Sequence, residues 1–154
     1  MKQFDLVIRA GKTFHIDEGN ALERENVLIG IKGSKIVEVS DWSNEGWEST
    51  EVIDASGKLV MPGLVNAHSH LPMNLFRGLA DDLPFQEWLH NYIMPLEGKL
   101  VSPEFVTLGT ELAMWESIRL GVTTTHDMYY FEEDIADVVD KAGLRGILGE
   151  SFMS

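Results

Sequence analysis

Over its first sixty or so residues the chain sets short apolar stretches between turn residues. Phe4 to Ala10 is β-rich in composition and breaks at Gly11-Lys12. Val27 to Ile31 and Lys35 to Val39 flank Lys32-Gly33-Ser34, the pattern of a hairpin with a Gly-containing loop. Asp41 to Thr50 is polar apart from Trp42 and Trp47 and reads as an exposed connection. Val52 to Lys58 reads as a further strand closed by a turn. Residues 1–60 are therefore expected to form part of an all-β module.

After Pro62 the pattern changes. Leu64 to Ala67 is a continuous apolar run, as expected of a parallel strand buried on both faces. A loop follows from Leu71 to Leu83, and Pro84 opens a short helix through Phe85, Trp88, Leu89 and Tyr92 that Pro95 is expected to interrupt. Ser102-Pro103-Glu104 supplies an N-cap, a first-turn proline and a first-turn acid. Phe105, Leu108, Leu112, Trp115 and Ile118 then recur at helical spacing up to Gly121, which assigns Trp115 to the core. Val122 to His126 is a β-branched strand. Glu132 to Ala142 is an amphipathic helix with Ile135, Val138, Val139 and Ala142 inward and Gly143 as its stop, and Leu144 to Leu148 is a third strand. Strand, helix, strand, helix, strand is the order of a parallel α/β sheet. It stops after a third strand, so residues 61–154 are expected to begin a larger barrel within a longer polypeptide.

Composition narrows the partners. Twelve Lys and Arg against 25 Asp and Glu give a formal charge of −13, which argues against nucleic acid or an anionic membrane. The chain has no cysteine, which removes disulfides and thiolate metal sites and agrees with a cytoplasmic location. The N-terminus lacks the apolar core of a signal peptide, and no apolar run is long enough to span a bilayer. Homo-oligomerisation is left open.

The candidate chemistry lies where the apolar run ends, at Asn66-Ala67-His68-Ser69-His70. Side chains alternate along a strand, so His68 and His70 project to one side and Ser69 to the other. Two imidazoles on one face can share a metal ion; a pair of surface histidines is the other reading of the same spacing.

Gly57-Lys58-Leu59-Val60-Met61-Pro62-Gly63 followed by Asn66-Ala67-His68-Ser69-His70 resembles the amidohydrolase superfamily. Leu75-Phe76-Arg77-Gly78-Leu79-Ala80-Asp81-Asp82-Leu83, Phe85-Gln86-Glu87-Trp88-Leu89 and Gly121-Val122-Thr123-Thr124-Thr125-His126-Asp127-Met128-Tyr129 extend the likeness to the 5'-methylthioadenosine/S-adenosylhomocysteine deaminase and chlorohydrolase branch. The resemblance implies the first three strands of a (β/α)8 TIM-like barrel, preceded by part of a small β-sandwich. It implies a divalent metal, zinc first and Fe2+ or Mn2+ as alternatives, with His68 and His70 as its first two ligands at the C-terminal end of the first barrel strand. The implied reaction is hydrolytic deamination of an adenosine-type nucleoside by metal-activated water.

Glu97 matches the position whose carboxylate grips ribose hydroxyls, and Trp88 matches an aromatic that walls the pocket. The remaining ligands and the proton-shuttling glutamate are expected beyond this chain, so no catalytic residue is assigned within it. His126 is not a ligand in the family pattern and is expected to be a satisfied polar residue near a strand end. Arg77, Asp81 and Asp82 are expected to be structural. Leu148-Gly149-Glu150 departs from relatives that carry an arginine just after the third strand. Guanine or cytosine deamination, triazine hydrolysis and a non-catalytic scaffold are the alternatives.

Overall fold

The computed structural model describes residues 1–152, Asp17 through its backbone alone. The chain divides into two compact units, Met1–Pro62 and Gly63–Ser154.

In the first unit, β1 (Lys2–Asp17), β2 (Asn20–Lys32), β3 (Lys35–Asp41) and β4 (Trp47–Val60) form one sheet in the order β3-β2-β1-β4. The first three pair antiparallel through hairpins, and β4 runs parallel to β1. Gly11 does not end β1. A Cβ there would lie 2.0 Å from the Ser56 carbonyl oxygen, so glycine is what lets β4 approach, beside a register shift between Ala10 and Lys12. The strand turns instead at Glu18 and Gly19, whose φ values of 47° and 82° suit a tight hairpin with the right-handed twist of its strands.

Trp42 and Trp47 are not part of a solvated connection. Their rings meet edge-on with centroids 5.6 Å apart and pack on Phe4, Val7 and Leu28. Among the described residues this unit is one sheet, and no second sheet packs on it to complete the implied sandwich.

The second unit is a parallel three-stranded sheet, β5 (Leu64–Ser69), β6 (Val122–Tyr129) and β7 (Arg145–Glu150), in sequence order. The crossovers contain α3 (Pro103–Arg119) and α4 (Glu132–Lys141). α3 starts as its cap predicts, with Ser102 Oγ accepting from the Phe105 N–H at 3.2 Å. Gly143, at φ 76°, follows α4 as the expected stop. The core gathers Leu71, Val106, Ala113, Met114, Tyr129, Ile135, Val138 and Val139.

Three expectations are corrected here. Leu64 and Val65 are 49% and 64% exposed, because the helices cover only the sheet face that carries Thr125, Asp127 and Tyr129. α3 buries Val106, Gly109, Thr110, Ala113 and Met114, whereas Leu108, Trp115 and Ile118 are exposed. Small residues win that face because the backbone of Pro72 comes close: a Cβ on Gly109 would lie 2.5 Å from its oxygen. Trp115 is therefore a surface residue, with the Arg119 guanidinium 5.0 Å from its ring centroid.

The third correction concerns Pro95. It does not interrupt the helix; α1 (Phe85–Glu87) runs through a π-helical turn at Trp88–Ile93 directly into α2 (Met94–Leu100), and Pro95 occupies the first turn of α2. The turn is marked by the Met94 N–H donating to the Leu89 carbonyl. It shifts the inward face by one residue, so Ile93 is 2% exposed while the expected Tyr92 is 40% exposed.

Candidate functional site

β6 fixes the histidine strand through side-chain and backbone bonds. The Ser69 hydroxyl donates to the His126 carbonyl at 2.8 Å and lies 3.1 Å from Thr125 Oγ1. Asp127 Oδ1 accepts the Leu71 N–H at 2.8 Å. The pairing of β5 with β6 shifts register between Asn66 and Ser69, and the rings of His68 and His70 lie with centroids 5.2 Å apart, nearly perpendicular.

His70 Nδ1 is 2.6 Å from the Met128 carbonyl oxygen. A carbonyl only accepts, so Nδ1 carries the proton and Nε2 keeps its lone pair. That arrangement suits a metal ligand, whose outer nitrogen is held by an acceptor while the inner one coordinates. Among the described residues no group of three or more His, Asp or Glu is placed to hold a metal. His68 and His70 thus offer two donors of the four or so that a divalent ion takes.

Beside His70 opens a cavity of about 260 Å³. Its walls bring together His70, Trp88 and Glu97, residues far apart in sequence, with Phe85, Ile93 and Tyr129. Phe85 and Trp88 face each other at 6.0 Å between centroids. Glu97, half-buried, accepts from the Tyr129 hydroxyl at 2.8 Å. Burial, and then the bonded Glu97, push the Tyr129 hydroxyl well above the usual phenol range, so it is a donor at any physiological pH. Mostly apolar walls with a few convergent polar groups are the usual make-up of a small-molecule pocket.

Behind the sheet lies a group of carboxyls that sequence reasoning missed. Asp127 is fully buried, Glu132 is 6% exposed, and Asp127 Oδ2 and both Glu132 oxygens have no hydrogen-bond partner among the described residues. Burial first, then the Asp127 charge, raise the Glu132 carboxyl to about 7. Glu150 Oε1 and Oε2 accept the Phe131 and Glu132 N–H groups at 3.1 and 2.7 Å. Glu150 thereby supplies the cap of α4 that the left-handed Phe131 (φ 57°) lacks. The signal in the sequence was Thr125, Asp127 and Tyr129 at alternate positions, a polar stripe on the face that β6 buries.

The remaining candidates lie outside the cavity. His126 is exposed, with Nδ1 3.1 Å from the Ala67 carbonyl oxygen. Arg77 forms a two-pronged pair with Glu116 at 2.8 and 2.7 Å and a bond to Asn74. Asp81 and Asp82 are exposed, Asp82 at φ 63° in a turn.

Parallel strands followed by helices, with candidate ligands at the C-terminal strand ends, define an α/β hydrolase-like site of the barrel type. Residues 59–154 match the amidohydrolase family, and the chain belongs to it. It is 49% identical over 126 residues to a 5'-deoxyadenosine deaminase of Methanocaldococcus jannaschii, covering 82% of this chain and 29% of that protein. It is 46% identical over 137 residues to a 5-methylthioadenosine/S-adenosylhomocysteine deaminase of Thermococcus kodakarensis, covering 89% and 32%. Among solved structures, an adenosine deaminase from Xanthomonas campestris with bound zinc superposes with a TM-score of 0.88 at 36% identity, over 95% of this chain and 34% of that one. The chain spans about a third of the length of the relatives it matches.

Proposed function

We propose that the protein containing this chain is a metal-dependent aminohydrolase that deaminates an adenosine-type nucleoside. In this reading residues 1–60 contribute to a β-sandwich, and residues 61–154 supply the first three strands of a (β/α)8 barrel. The observation that carries the proposal is the single cavity in which His70, Trp88 and Glu97 meet. The names of the relatives support the substrate class.

His68 and His70 would hold a divalent metal, zinc first given imidazole donors and the zinc-bound neighbour. A metal held there supplies a water acidified toward neutral pH. The Met128 carbonyl keeps the His70 ring in its ligating tautomer. Phe85 and Trp88 give the heterocycle an aromatic wall and exclude water from one side of it. Glu97 accepts the sugar hydroxyls, a charge-assisted contact that fixes where the ring lies. Groups that move protons come from outside these residues.

The test is metal content and ammonia release from 5'-methylthioadenosine and 5'-deoxyadenosine, measured on the intact protein and on His68→Ala and His70→Ala. Each variant should lose bound metal, and kcat/KM should fall by about a hundredfold or more. A His70→Ala protein with full metal and full turnover would refute the assignment. Glu97→Gln should raise KM for nucleosides.

A further inference from the structure

We infer that Tyr129 is a positioning residue that sets the distance between the metal end and the sugar end of the cavity. The inference rests on the nucleoside reading of Glu97 above. Tyr129 leaves β6 from the buried side of the sheet and is 4% exposed. Its ring lies 6.2 Å from His70 and 5.1 Å from Tyr130, centroid to centroid. Its hydroxyl reaches Glu97 Oε1. One rigid side chain thus stands beside a metal-ligand candidate and ends on the sugar-gripping carboxylate.

The bond has a second role in the fold. Among the described residues it is the one side-chain hydrogen bond that joins α2 to the sheet. α2 is otherwise a short helix following a π turn, with no buried residue of its own. Without the tyrosine hydroxyl, Glu97 keeps its place in the helix but loses what fixes its rotamer. With it, Oε1 is occupied and Oε2, which has no partner among the described residues, is the oxygen offered to the ligand. A substrate is then measured between two fixed points: the reacting carbon toward the histidines and a hydroxyl toward Oε2. Nucleosides with sugar hydroxyls fit this rule, whereas bare heterocycles and dideoxy sugars engage only one end.

The experiment compares Tyr129→Phe, Glu97→Gln and the double variant in the intact metal-loaded protein, on 5'-deoxyadenosine and on its 2',3'-dideoxy analogue. Tyr129→Phe keeps the ring and removes the donor. It should raise KM for the hydroxylated nucleoside about tenfold with kcat nearly unchanged, leave the dideoxy analogue unaffected, and add nothing to Glu97→Gln. Equal losses on both substrates, or additive effects in the double variant, would show a merely structural tyrosine and overturn the inference. If Glu97→Gln lowers nucleoside binding but Tyr129→Phe does not, only the positioning role fails. If Glu97→Gln itself changes nothing, the sugar-grip reading and this inference fall together. Glu97→Asp, which shortens the arm by one methylene and leaves the tyrosine in place, should reproduce the KM effect should the phenylalanine variant fold poorly; an unchanged KM would overturn the inference.

Discussion

Replacing Glu132 by Gln should make the protein more stable at pH 8 and nearly leave it alone at pH 4.5. Glu132 is buried against Asp127, and its carboxyl is raised to about 7 from an ordinary value of 4.5, by burial first and the Asp127 charge second. Between those two pH values the folded protein keeps a proton that the unfolded chain has released. The contribution to stability is therefore fully present below about pH 4.5 and is lost as pH rises through 7. Taken at ~1.4 kcal/mol per pH decade, the loss amounts to about 3 kcal/mol by pH 8. A glutamine mimics the protonated acid, because its amide N–H can donate to the partnerless Asp127 Oδ2 without ionising. Thermal midpoints of the two proteins, measured from pH 4.5 to 8.5 in the same buffer series, should converge at the acid end and diverge toward the alkaline end. Parallel curves, or a glutamine variant that is the weaker one at pH 8, would refute the buried-acid account.

Other expectations follow from single contacts. Gly109→Ala places a methyl 2.5 Å from the Pro72 oxygen, so α3 must move off the segment that follows His70. It should cost about 1–3 kcal/mol in chemical denaturation and weaken metal retention, and a variant with a normal unfolding midpoint would contradict the close packing. Gly11→Ala meets the Ser56 carbonyl at 2.0 Å and should destabilise the first unit by a similar amount, seen as earlier loss of Trp42 and Trp47 fluorescence. The 154 residues expressed alone should release no ammonia from any adenosine nucleoside at enzyme concentrations where the intact protein turns over readily; measurable kcat would show that the missing proton-transfer groups are not needed.

The parts of the fold legible in the sequence were those fixed by near neighbours. Ser102-Pro103 and Gly143 bound their helices because caps act within one turn. Gly11 misled because its reason is another strand, Ser56 to Lys58, distant in the chain. α3 misled in a related way: its largest apolar residues gave the clearest periodicity, but the closest packing selected the small ones, Gly109 and Ala113. At the candidate site, strand alternation was enough to pair His68 with His70, and the family resemblance brought in Trp88 and Glu97. Tyr129, Asp127 and Glu132 were not singled out, because each acts through a partner on another element. Glu150 stood out only as a departure from relatives, and its contacts give it a different task, holding the start of α4.

The π turn at Trp88–Ile93 has a consequence for how such a pocket arises. The cavity is lined by positions 85, 88, 89, 93 and 97, whereas an unbroken α-helix continuing from Phe85 would present Tyr92 and Leu96 instead. The turn is equivalent to one inserted residue, which rotates everything after it by ~100°. One codon gained in an ancestral helix would exchange a leucine for a glutamate at the wall without altering the residues of either flanking helix. Deleting one codon there would undo the exchange: the protein would keep its apolar pocket and lose the acid.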